Sequence, residues 1–223
     1  MNWNKRLPKF SQADRLRHKD GDGNSTPPEW YMRGYLPHFD GGEIPQVLTF
    51  RLFGSLPKHL LDRWAEELAK WPEQKKAEAE RRRRMEDYLD QGLGPVWLKD
   101  GRVGEMTDNA LRYFDSVRYL LHTWVVMPNH VHVLLTPNNG FTLAGILHSW
   151  KSFTSKEANK ILQRAGTFWQ AESFDRYIRD ETHFKRAWEY IEQNPVKAGL
   201  CEKAEDWPWS SAAWRVQLAG VEL

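Results

Sequence analysis

Two histidines one valine apart, His130 and His132 in "WVVMPNHVHVLLTP" (residues 124–137), stand out as polar side chains inside an apolar run. In an extended strand, residues i and i+2 emerge on the same face, so the two imidazoles lie side by side while Val131 and Val133 turn away. Two imidazoles can share one metal ion, but two ligands are too few to hold it. Further along, Tyr190 and Asn194 are four residues apart in "FKRAWEYIEQNPVKAGL". On a helix that spacing puts them one turn apart on one face. If Asn194 approaches the histidine pair, its amide oxygen completes a His, His, Asn set, which suits Mg2+ or Mn2+ holding a phosphate better than a closed structural zinc. Tyr190 is then a phenol aimed at a metal-bound phosphate. Such a group acts as a nucleophile and remains attached as a phosphotyrosine ester. Tyr177, in "FDRYIRD", is the rival phenol, but no amide follows it four residues on.

The surrounding patterns say which elements position these groups. "QVLTFRLFGSL" alternates, with Val47, Thr49 and Arg51 on one side and Leu48, Phe50 and Leu52 on the other, and reads as a strand. "VRYLLHTWVVM" and "HVHVLLTP" read as two neighbouring antiparallel strands joined by a tight connection at Pro128 and Asn129. Helical periodicity marks "KHLLDRWAEELAKW", the charged segment 72–94 closed by Gly92 and Gly94, "GEMTDNALRYFDS", and a helix capped by Thr142. "FWQAESFDRYIRD" reads as a short strand and loop. The helix carrying Tyr190 is expected to begin near Asp180 or Thr182 and to stop at Asn194 and Pro195. The run Arg81 to Arg84 would spread around most of a helix circumference, so a solvated face is as good a reading as a DNA contact. His148 and His183 read as surface or supporting groups, "DWPWSS" as an aromatic clasp on the core, and Cys201 as a small buried residue.

Composition narrows the class. At 223 residues the chain suits one substantial domain with an added piece: a flexible polar arm over 1–30, a single domain over 31–215 with a charged helical insertion at about 70–94, and a tail over 216–223. With 32 basic and 30 acidic residues the net charge is only +2, so any basic surface is local. One cysteine excludes an internal disulfide framework. No apolar run reaches membrane-spanning length, and the N-terminal residues lack an apolar signal region, which makes the cytoplasm the expected compartment.

The two chemical motifs together resemble a known family. "MPNHVHVLL" resembles the HUH motif, and "FDRYIRDETHFKRAWEYIEQNPVKAGL" resembles the nucleophile helix of the IS200-like single-tyrosine transposases, in their REP-associated tyrosine transposase branch. The likeness runs from about "YMRGYLPHFD" to "DWPWSSA". It implies an α+β fold with a ferredoxin-like antiparallel sheet and helices packed on it. It also implies His130, His132 and Asn194 as metal ligands and Tyr190 as the catalytic nucleophile. The substrate implied is single-stranded DNA beside an imperfect hairpin of the REP type, cut and rejoined without ATP to give a free 3′ hydroxyl and a 5′-phosphotyrosine link. Candidate DNA contacts are Arg33, Tyr35, His38, Arg51, Lys151, Lys156, Arg176 and Arg179. Two other readings use the same residues: a hairpin-binding domain without cleavage, and a nuclease that activates water on the metal. Monomer and homodimer are both compatible with the motifs. The segment from about Lys70 to Gly94 departs from the family pattern, being longer and more charged than a minimal core needs.

Overall fold

In a computed structural model of the chain, residues 29–33, 36–40 and 42–221 are described, the first two stretches as backbone strands. The polar arm expected over 1–30 falls almost wholly outside the described residues, as does Tyr35. Strands β1 (Glu29–Arg33) and β2 (Leu36–Asp40) pair with each other. Then come β3 (Gln46–Leu52), α1 (Lys58–Leu68), α2 (Gln74–Asp90), α3 (Gly101–Arg112), β4 (Tyr119–Val126), β5 (His130–Pro137), α4 (Leu143–Ile161), β6 (Trp169–Tyr177), α5 (Glu181–Lys197) and α6 (Ser211–Val221). The main sheet is antiparallel throughout, in the order β4-β5-β3-β6. Helical connections join β3 to β4 and β5 to β6, while β4 and β5 form a hairpin. That is the ferredoxin-like arrangement expected.

The alternation of β3 and β5 explains the two faces. Leu48, Phe50 and Leu52 with Val131, Val133 and Leu135 meet α3 and α4 in the main core, alongside Trp124, Trp150 and Trp169. Polar ends of the large rings are satisfied there: Trp124 Nε1 donates to Asp108 Oδ1 at 2.6 Å and Tyr119 Oη to the Leu111 carbonyl at 2.7 Å. The opposite face carries Thr49, His130, His132 and Leu134, and α5 covers it through Phe184, Ala187 and Ile191. The candidate chemistry therefore lies between the sheet and α5.

Three expectations change. Strand β6 runs nine residues, longer than a short strand and loop, because pairing with β3 extends from Trp169 to Tyr177. Helix α5 does not stop at Pro195 but reaches Lys197. A proline so near a helix end forfeits only one backbone bond, and the ladder resumes at once with Ala198 N donating to the Asn194 carbonyl at 2.9 Å. Helix α6 continues to Val221, so the region expected to be a tail from 216 is helical. Cys201 is half-buried.

The aromatic clasp is present. Trp207 Nε1 donates to the Val126 carbonyl at 2.9 Å, and Val126 N donates to the Trp209 carbonyl at 2.9 Å. Trp209 lies against Gly104 so closely that a Cβ there would come within 2.6 Å of the ring.

Candidate metal and nucleophile site

The histidine pair is rigid, buried and converging. Both residues are fully buried, with His130 Nε2 and His132 Nε2 3.0 Å apart. Their other ring nitrogens are fixed from behind. His130 Nδ1 is 2.6 Å from Asn129 Oδ1, and the Asn129 amide is oriented by donating to the carbonyls of Leu89 at 3.2 Å and Leu93 at 3.3 Å. An amide oxygen only accepts, so His130 carries its proton on Nδ1 and presents a lone pair at Nε2. His132 Nδ1 is 2.7 Å from Thr49 Oγ1, a hydroxyl able to donate or accept. His132 Nε2–H donating to His130 satisfies both rings, and the other tautomer, with the Thr49 hydroxyl turned to accept, gives two converging lone pairs. Burial holds His130 well below its ordinary value, and a proton on the neighbouring His132 would lower it further. Burial, helped by the Lys197 charge, brings His132 down to about 3. Both rings are neutral near pH 7, the state a metal ligand needs.

Helix α5 brings the second pair over them. It starts at Asp180, whose side chain accepts from His183 N, and is locked in register by Glu192. That buried carboxylate accepts from Ser211 Oγ at 2.7 Å and Thr123 Oγ1 at 3.3 Å, and pairs with Arg215 through Nη2 at 2.6 Å. The clamp ties α5 to β4 and α6, leaving Tyr190 and Asn194 turned to the histidines. The Tyr190 ring centroid is 5.6 Å from that of His132. Asn194 is fully buried; its Nδ2 is 3.4 Å from Asp90 Oδ1, and its Oδ1 has no hydrogen-bond partner among the described residues. An orphaned amide oxygen beside two imidazoles fits a divalent cation. The Tyr190 hydroxyl is likewise buried, with the Glu86 carboxyl facing it. Burial first, then the charges of Glu86 and Asp90, push its ionisation up, away from the reactive phenolate.

Outside this pair of pairs, a cavity of about 270 Å³ is lined by Tyr190, Thr49, Arg82, Glu86, Arg176 and Arg186, among others. The charged helix α2 forms one wall. Its strong helix formers are tied by ion pairs such as Arg83 with Glu80 and Asp87, and Arg84 bridges to Glu67 of α1 at 2.8 Å. Gly92 and Gly94, both at positive φ, end the helix and turn the chain back to the sheet. Within the arginine run, Arg83 and Arg84 are engaged in ion pairs, and Arg82 lines the cavity together with the paired Arg83. Sequence reasoning missed Asp90, Glu86, Asn129 and Thr49. For Asp90 and Glu86 the available signal was the unexplained charged segment 70–94; for Thr49 it was the alternation of β3, and Asn129 read only as a turn residue.

The candidate DNA contacts separate. Arg176 and Arg179 are exposed near the cavity and the start of α5, with Arg176 against His183. Lys156 is exposed on α4. Lys151 is half-buried and donates to the carbonyls of Gln170 at 2.8 Å and Ala171 at 3.1 Å. Arg51, expected as an accessible phosphate contact, is instead 1 % exposed, because it stands on the covered face of a central strand beside His130. Arg33 and His38 belong to β1 and β2, whose side chains lie outside the described residues, as does Tyr35.

The site defines a class: an antiparallel ferredoxin-like core with a buried His-x-His pair and a helix-borne tyrosine beside it. Residues 100–194 match the family described as "Transposase IS200 like", a stretch that contains the histidine pair and both α5 residues. An Escherichia coli REP-associated tyrosine transposase is 26% identical over 41% of this chain and 53% of its own length. A Haemophilus influenzae protein bearing the same family name is 33% identical over 39% of this chain and 54% of its own. The chain spans about half the length of the curated relatives it matches. Among solved structures, a REP-associated tyrosine transposase bound to a REP hairpin superposes with a TM-score of 0.50, at 16% identity, over 85% of this chain and 86% of that one. The resemblance found in the sequence holds over residues 100–194, which match the IS200-like transposase family, and the solved structure shows the same fold. No helix among the described residues is long and apolar enough to cross a membrane.

Proposed function

We propose that this protein cuts and rejoins single-stranded DNA beside hairpin repeats, with Tyr190 as nucleophile and His130, His132 and Asn194 holding a divalent cation. The observation that carries this reading is the placement of the buried Tyr190 hydroxyl, and of an Asn194 oxygen with no partner among the described residues, beside two neutral imidazoles. The donor set fits Mg2+ or Mn2+, which when bound offsets charge on the phosphate's non-bridging oxygens. The chain's own groups do the rest. Arg82, Arg176 and Arg186 on the cavity wall attract and orient the phosphodiester. The Tyr190 oxygen attacks phosphorus, forming the tyrosine ester, while the bond from phosphorus to the 3′ oxygen breaks and that oxygen takes up a proton. Glu86, on the same cavity wall, is placed to accept the phenolic proton, and burial raises its proton affinity. Attack by the 3′ hydroxyl of another strand reverses the step and joins the strands.

The test is incubation with Mn2+ or Mg2+ and labelled single-stranded hairpin oligonucleotides drawn from repeats beside the gene. A denaturant-stable protein–DNA adduct, absent in Tyr190→Phe, is expected. Cleavage without an adduct would favour a water-using nuclease, and tight binding without cleavage a hairpin-binding domain.

A further inference from the structure

The charged helix α2 lies outside the matched stretch 100–194, yet its last residue reaches the histidine pair. Asp90 Oδ1 is 3.9 Å from His130 Nε2, and donor atoms of Asp90, His130 and His132 all lie within 4.8 Å of one another. The Asp90 side chain is only 9% exposed, and its Oδ2 pairs with Lys197 Nζ at 2.9 Å. This is not a loose acidic group near a pocket. Met85 and Leu89 of α2 are buried, and Asn129, the residue that orients His130, holds the carbonyls of Leu89 and Leu93. The independent sign that points to a ligand is Asn194 Oδ1, fully buried and without a partner among the described residues, in the residue whose Nδ2 faces Asp90.

Resting on the metal-centre reading above, we propose that Asp90 is a further ligand of the divalent ion and that Lys197 competes with the ion for it. A carboxylate gives the otherwise neutral His, His, Asn set a negative charge and a hard oxygen, which favours Mg2+ or Mn2+. An ammonium and a metal ion cannot both take the same carboxylate at full strength, so metal loading loosens the Asp90–Lys197 pair. Lys197 lies on α5 with Tyr190, its Nζ 5.7 Å from that ring centroid. Once released it stands where a phosphate under attack by Tyr190 needs a positive charge. The inserted helix is then part of the active centre.

Mn2+ titration of the full chain by calorimetry and by the free-ion electron paramagnetic resonance signal separates the possibilities. Asp90→Asn is expected to weaken Mn2+ binding at least about tenfold, and Lys197→Met to tighten it several-fold. In the Asp90→Asn background, Lys197→Met is expected to have no further effect. Both single substitutions break the same ion pair, so a purely structural pair would make them weaken binding alike, and that result would overturn the proposal. Wild-type affinity in Asp90→Asn would also overturn it. His130→Ala with His132→Ala tells the two failures apart. Mn2+ binding that needs the histidines but ignores Asp90 sinks this inference alone, whereas wild-type protein that binds no Mn2+, or binds it without the histidines, sinks the metal centre as well.

Discussion

Asn129 Oδ1 accepts from His130 Nδ1 at 2.6 Å while the other end of the same amide donates to the carbonyls of Leu89 and Leu93, at and just past the end of the charged helix α2. One side chain thereby sets the tautomer of a candidate ligand and the position of the helix end that carries Asp90. The residue sits in the β4–β5 connection, where a turn residue was expected and a supporting group was found. Groups that orient metal-bound imidazoles typically contribute 10- to 100-fold in affinity or activity.

Asn129→Leu is therefore expected to lower Mn2+ affinity about 10- to 100-fold, since it removes the acceptor for His130 and leaves two carbonyls unpaired. Calorimetric titration against wild type checks this. Unchanged affinity would mean that His130 needs no help to present Nε2.

The buried imidazoles also make stability depend on pH. Their folded-state values lie below the unfolded value of about 6.5, well below it for His130 and down to about 3 for His132. Between these values the unfolded chain binds more protons than the folded one, so the stability present above about pH 6.5 is lost as pH falls toward 3. Burial raises Glu86 and Asp108 and gives them the opposite sense. The informative quantity is thus the difference between wild type and His132→Asn in metal-free urea unfolding from pH 7 to 5. Wild type is expected to lose more stability across that window than the variant; equal slopes would contradict the neutral, buried state of His132.

Glu192 is expected to matter for position more than for chemistry. Truncating it to Ala leaves Arg215 without its partner and unties Ser211 and Thr123 from α5. Breaking such a buried pair costs about 3–5 kcal/mol, somewhat less here because Arg215 keeps partial contact with solvent. Urea denaturation measures it. A loss below about 1 kcal/mol would show that α5 is held by its apolar face alone.

Much of this was legible in the chain because it depends on local periodicity. The i, i+2 spacing of His130 and His132 and the i, i+4 spacing of Tyr190 and Asn194 fix which residues share a face, whatever the tertiary arrangement. The alternation in β3 likewise marks Thr49 and Arg51 for the histidine face. It says nothing of whether that face is covered, and Arg51 proves to be buried beside His130 on a central strand. Asp90 and Glu86 were illegible for a related reason. They sit in a solvated-looking run of charges, and only the turn at Gly92 and Gly94 folds that run back onto the site. Pro195 misled because a proline blocks a helix in its interior but costs little in the last turn.

Locating the attached nucleotide shows whether Tyr190 forms the covalent link to DNA. Trypsin cuts after Arg186 and Lys197, so Tyr190 falls in the peptide 187–197, "AWEYIEQNPVK", while Tyr177 falls in "YIR". After reaction with hairpin DNA and Mn2+, nuclease trimming and tryptic digestion, mass spectrometry should find a nucleotide-phosphate mass added to 187–197, with fragmentation placing it on Tyr190. The same mass on the Tyr177 peptide, or strand cleavage with no modified peptide, would contradict the account.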